Sequence, residues 1–245
     1  MTADGLTRAV RLQLRLGRLL PLGGPGDGAW IAEAAAWTVL RKEAADVPGV
    51  RLGALRIEAA AGPEEAQEPA VPAPPGAMTP GPLRVTAEFA AGAEEPLPDA
   101  AARLRAALAA AATRRLGLTV TEVDLRVESL LDDTAESAAP VRPSEGPDPE
   151  SALPRPGDDD ESRVAAAVLT VPGVTRLTGT LGGLGRPVHI EERREDAALT
   201  RRHVRVELAV RADHRAVEVA REVRATAGEA LRDRPTVAVL VTAVE

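Results

Sequence analysis

The tetrapeptide Val-Pro-Gly-Val occurs twice in this chain, at 47–50 and 171–174, each time between a helix-forming stretch and an extended one. Proline removes a backbone donor and glycine accepts left-handed backbone, so the pair stops a helix and redirects the chain. The flanking segments repeat in the same order. A helical stretch, Trp30 to about Ala45 in the first half and Arg163 to Leu169 in the second, precedes the turn. A strand with period-two alternation follows it. Leu83, Val85, Ala87 and Phe89 alternate with Arg84, Thr86 and Glu88, and Val204, Val206, Leu208 and Val210 alternate with Arg205, Glu207 and Arg211. Such alternation predicts a sheet with one buried and one wet face.

Next comes an amphipathic helix. Leu97, Ala101, Leu104, Leu108 and Ala112 share a face, with Asp99 placed as a cap and Gly117 as the stop. The second copy starts near Asp213 and aligns Ala216, Val219, Ala220, Val223, Ala227 and Leu231 before Pro235. Val123, Leu125 and Val127 close the first copy as a strand, and 236–244 close the second. The expected fold is α+β: two tandem modules of order α-β-β-α-β, each a three-stranded sheet with its helices on one face.

Domain limits follow from composition. Residues 131–161 carry ten carboxylates against Arg142 and Arg155, together with prolines and small residues, and read as a disordered linker of charge −8. The whole chain carries −7, so the remainder is close to neutral at +1. The modules are therefore 1–130 and 162–245, with 62–82 as a long flexible loop inside the first. Residues 5–20 form a basic amphipathic helix that either packs on the first module or meets a membrane surface or a partner helix. Their arginines interrupt the leucines, which is unlike a signal peptide, and no apolar run approaches the length of a membrane span. A cytoplasmic location is the resulting expectation.

Few residues offer chemistry. The sequence contains no cysteine, which removes disulfides and thiolate metal sites. Only Trp30, Trp37 and Phe89 are aromatic, and the tryptophan spacing reads as one buried helical face. His203 and His214 could approach each other as a catalytic or metal pair, but they lack a recognised ligand spacing. The carboxylate runs Asp132-Asp133 and Asp158-Asp159-Asp160-Glu161 fall in the linker, where solvation leaves no shifted acid for general acid–base work. Gly179, Gly182, Gly183 and Gly185 lead into a strand and not a helix, so they read as a turn and not a phosphate loop. No catalytic residue, cofactor or metal site is expected.

Two interaction surfaces are candidates. Strand 236–244 is apolar on both faces, so Ala238, Leu240 and Val244 need a cover, supplied by the other module or by another chain. Arg202, Arg205 and Arg211 surround one strand and could contact RNA, although the second module has no aromatic side chain for base stacking.

The Val-Pro-Gly-Val helix end, the alternating strand, Pro96-Leu97-Pro98-Asp99 and the closing run Val120 to Val127 together resemble the alkaline shock protein family of Gram-positive envelope stress proteins. Arg163 to Gly179 is similar to the opening of actinobacterial members. The resemblance covers most of 29–130 and 162–245. It implies a non-enzymatic cytosolic protein that self-associates and is recruited to the membrane by an anchored partner. The family is commonly single-module, so one copy here stands where a second subunit would. The second module also lacks a longer glycine- and tyrosine-containing loop expected after its first turn.

Overall fold

The computed structural model describes residues 16–60, 67–131, 159–179, 186–193 and 201–245. These form a mixed α+β fold with four α-helices and nine strands in two sheets. The predicted basic helix (apart from its last residues), most of the linker and Gly182, Gly183 and Gly185 lie outside the described residues.

Strands β1 (Leu19–Pro21) and β2 (Ala29–Ala32) form a short antiparallel hairpin. Helix α1 (Glu33–Ala45) follows without a break, and Trp30 belongs to β2. This corrects the shared helical face of Trp30 and Trp37: Trp30 is buried, while Trp37 is half-buried with Arg41 stacked over its ring at 5.9 Å. Ala29-Trp30-Ile31-Ala32 is apolar throughout and buried throughout, so its position in a sheet overrides a local helical pattern.

Strands β3 (Val50–Ala59), β4 (Leu83–Gly92) and β5 (Val120–Leu131) make one sheet, with β3–β4 antiparallel and β4–β5 parallel. Helix α2 (Leu97–Ala110) joins β4 to β5 and continues as a wider π-helical turn over Ala111–Leu116. Asp99 lies in its first turn without a capping side-chain bond; the two prolines, at 96 and 98, start the helix instead. Leu104, Leu108 and Ala112 are fully buried, and Gly117 stops the turn at φ +92°.

Helix α3 (Asp160–Val168), β6 (Val174–Leu177), β7 (Val188–Arg193), β8 (Arg201–Val210), α4 (Ala216–Glu229) and β9 (Thr236–Val244) complete the chain. β6 and β7 both pair antiparallel with β8, at successive positions, and β9 pairs parallel with its other side. β2 then pairs parallel with β9, through Ala29–Val239, Trp30–Leu240 and Ile31–Val241. The second sheet is thus six-stranded and draws two strands from the first half of the chain.

Both Val-Pro-Gly-Val turns adopt the same local geometry. Gly49 and Gly173 have φ of +68° and +89°. The carbonyl of Gly49 accepts from Gly92 N at 2.9 Å, and that of Gly173 from Arg211 N at 2.8 Å, each at the end of the neighbouring strand. The parallel pairs β4–β5 and β8–β9 each carry a bulge near the end, after Phe89 and after Leu208.

The buried side chains of the two halves form one continuous core. Its joints are specific. The loop 23–28 between β1 and β2 is clasped by α4: Arg221 donates two bonds to the Asp27 carboxylate at 2.8 and 2.9 Å, and Arg224 donates to the carbonyl of Gly26. Asp27 also accepts from Gly24 N at 2.7 Å. The Arg221 guanidinium is the main reason its carboxyl is held below the usual carboxylate range, with burial opposing. Gly117 packs directly on Val217 of α4, and its carbonyl accepts from Gly23 N at 3.0 Å. A Cβ at 117 would stand 2.3 Å from Val217 Cγ1.

Two expected coil segments are in part ordered. Residues 67–82 form a strap: Ala77 bridges to Leu19, Met78 N donates to the Leu19 carbonyl at 2.8 Å, and Trp30 Nε1 donates to the Met78 carbonyl at 3.2 Å. Val71 is buried. At the far end of the acidic segment, Asp159 accepts from Ser162 N at 3.0 Å and caps α3, while Asp160 and Glu161 form its first turn.

Candidate interaction surface

Ala238 and Leu240 lie inside the fold, 0% and 1% exposed. β8 and β2 flank β9 in the plane of its sheet, β2 coming from the first half of the same chain, and helices α1 and α4 lie against the strand. These two residues are therefore not an exposed surface, which corrects their candidacy; Val244 is half-buried at the strand's end. A strand buried on both faces keeps no alternation, the same sign from which a second chain was one reading.

The arginine candidates are held within the chain. Arg202 donates to Asp160 of α3 at 2.5 Å and reaches Asp233 at 3.4 Å. Asp160 raises the guanidinium pKa of Arg202, and Arg202 in turn lowers the carboxyl pKa of Asp160. Arg205 is 16% exposed and lies 4.0 Å from the buried Glu207 carboxylate. Arg211 is bonded to Asp213 at 2.7 and 3.0 Å. Arg202 thus fixes α3 to β8, and the set presents no common face of free guanidinium groups to a polyanion.

The histidines occupy opposite ends of β8. His203 sits near its start, within 2.8 Å of Thr236 Oγ1, and His214 lies beyond its end, bonded to Asp213 at 2.8 Å. Seven strand steps alone, from 203 to 210, span roughly 23 Å. They do not form a pair. His214 lines a cavity of about 170 Å³ with Lys42, Glu43, Arg115 and Glu245. The hydroxyl there, Thr38 Oγ1, donates to the Ala34 carbonyl at 3.0 Å and is not set against a base. Among the described residues no group of three or more His, Cys, Asp or Glu side chains could hold a metal ion. A wider groove of about 410 Å³ beside α4 is lined by Arg221, Arg224, Arg234 and Glu229, with Arg221 and Arg224 already engaged by the loop 23–28. No helix among the described residues is long and apolar enough to cross a membrane.

The open surface is β5. Val127 and Leu130 are 41% and 55% exposed, and together with Leu169 they are the exposed large apolar side chains among the described residues. β4 pairs with one side of β5, and among the described residues no strand pairs with the other. Sequence alternation marked β5 as a strand without marking it as an edge, because strand order is set by tertiary packing.

No protein-family model matches this sequence, and no curated protein matches it either.

Proposed function

We propose that the chain is a non-enzymatic protein–protein interaction module of the cell-envelope stress type, assembled from two copies of one α-β-β-α-β unit. Support for the duplication lies in the two Val-Pro-Gly-Val turns, with their matching glycine carbonyl bonds and the bulges after Phe89 and Leu208. Helices α2 and α4, each of 14 residues, occupy the same place in the two units. The observation that carries the interaction reading is the contrast at the closing strands: β9 is flanked on both sides, and among the described residues β5 presents a long open edge with apolar side chains. The pairing of Arg202, Arg211, His203 and His214 into local contacts supports a structural use of these groups over a catalytic one. The protein acts in the cytoplasm and reaches the membrane through an anchored partner, as the resemblance to alkaline shock proteins implies.

The test is light scattering after gel filtration of the full chain, together with capture of partners from a membrane fraction. Self-association, or a specific membrane-anchored partner that survives washing, is the expected result. A strict monomer that retains no protein overturns the reading.

A further inference from the structure

The open edge of β5 has a self-complementary pattern, and we propose that two copies of this chain associate by antiparallel pairing of β5 with β5 about a two-fold axis at Leu125. This rests on the interaction-module reading and names its partner.

Among the described residues the outer edge of β5 keeps free pairing capacity. Val123 accepts a hydrogen bond from Arg105 Nε at 3.1 Å, so its carbonyl points away from β4. Alternate residues of a strand direct their amide and carbonyl to the same side, so Leu125 and Val127 also face outward. β5 spans 12 residues, a length of roughly 40 Å. A long edge with apolar side chains is a template for another strand.

Side chains select the occupant and the register. An axis at Leu125 sets Val123 opposite Val127 on the packed face. On the wet face it sets Asp124 of each copy opposite Arg126 of the other, giving two opposite-charge pairs. Both side chains are exposed; Asp124 lies 3.5 Å from Arg84 of its own copy, and among the described residues Arg126 has no ion-pair partner. Moving the axis to Asp124 or to Arg126 sets like charges opposite each other at the centre. The favoured register also sets Glu122 of each copy opposite Glu128 of the other, two like pairs that lie farther from the axis than the two opposite-charge pairs. Glu122 is held by Arg84 at 2.5 Å. Glu128 folds back over β4, where a Cβ on Gly53 would stand 3.2 Å from its Oε2. Pairing also displaces Arg105 from the Val123 carbonyl, so this side chain competes with the second copy.

The symmetry supplies a test on the full chain. Asp124→Arg places arginine opposite arginine, and Arg126→Asp places aspartate opposite aspartate. Each variant alone sets two repulsive pairs, whereas one of each restores two attractive pairs. The expected result by analytical ultracentrifugation is a wild-type dimer and a dissociation constant at least about tenfold higher for either variant alone, with the dimer recovered on mixing. Unchanged thermal melting of the two variants shows that folding is intact. The proposal is overturned if the wild type stays monomeric at the highest attainable concentration, if both variants dimerise as the wild type does, or if the mixture stays monomeric. Dimers that ignore both substitutions place the contact elsewhere and leave the interaction reading standing. A monomer that still retains a membrane-anchored partner removes this edge alone.

Discussion

Strand β9 has a neighbour on each side, and among the described residues β5 has a neighbour on one side only. Superposing their registers on β8 and β4 by the shared bulge sets Ala238 against Asp124 and Leu240 against Arg126. At these positions β9 carries apolar residues that are buried, and β5 carries charges that are exposed. The hairpin β1–β2 seats against β9 and has no counterpart beside β5 among the described residues. One added strand turns an edge into an interior strand, and the side chains follow.

The contrast breaks most sharply at Leu240. Leu240→Arg, which gives β9 the residue that β5 carries at this position, forces a longer charged side chain into a filled, buried site beside Glu207 and should cost about 3 kcal/mol or more, read as a lower urea midpoint or loss of cooperative unfolding. A milder result would mean that β9 is less enclosed than its burial indicates.

Gly117→Ala attacks the joint that holds the hairpin. The new methyl would sit on Val217 in backbone at φ +92°, with a destabilisation of about 2–4 kcal/mol by urea titration. Hydrogen exchange should show β9 losing protection along with α2.

Asp27→Ala removes both Arg221 bonds and the contact to Gly24 N. Because Arg221 is half exposed, the loss should be only about 1 kcal/mol. The amides of Val239 and Val241 report it by faster exchange. This pair also has a pH signature. The Asp27 carboxyl is lowered in the folded protein, so its stabilisation is complete above the ordinary carboxylate pKa of about 3.9 and is lost as pH falls through the lowered value. Melting of the wild type should therefore weaken below about pH 4 by more than that of Asp27→Ala.

Arg126→Leu gives β5 the residue of β9. At an exposed edge position, monomer stability should stay within about 0.5 kcal/mol, while self-association weakens because Asp124 of the second copy loses its partner. The smallest effect is expected for Arg105→Ala, which removes the competitor for the Val123 carbonyl and should tighten association about two- to threefold in ultracentrifugation.

Elements whose stability is written into their own run of residues, as a stripe, an alternation or an unbroken apolar stretch, were legible in the sequence. The alternation of Leu83 to Phe89, the α4 stripe and the limits of β9 at 236–244 all correspond to described elements. The Ala29–Ala32 strand was not legible, because four apolar residues ahead of a helix continue its pattern, and only the presence of β9 makes them a strand. The strap 67–82 was hidden for a related reason. Its proline-rich composition describes a chain that cannot form regular structure, yet Val71 and Met78 find places against the hairpin. Of the candidate surface, the two-sided apolarity of β9 marked a strand that is largely buried and left its cover open between the other module and another chain. The arginines around β8 were visible in number, while their carboxylate partners Asp160 and Asp233 lie too far along the chain for spacing to reveal.

The parallel seam between residues 29–31 and 239–241 orders events during synthesis. β2 leaves the ribosome some two hundred residues before β9, so it waits through the synthesis of that interval with Trp30 and Ile31 lacking their final neighbour. A nascent chain stalled anywhere in that interval displays an unsatisfied apolar strand, the kind of segment that holding chaperones bind.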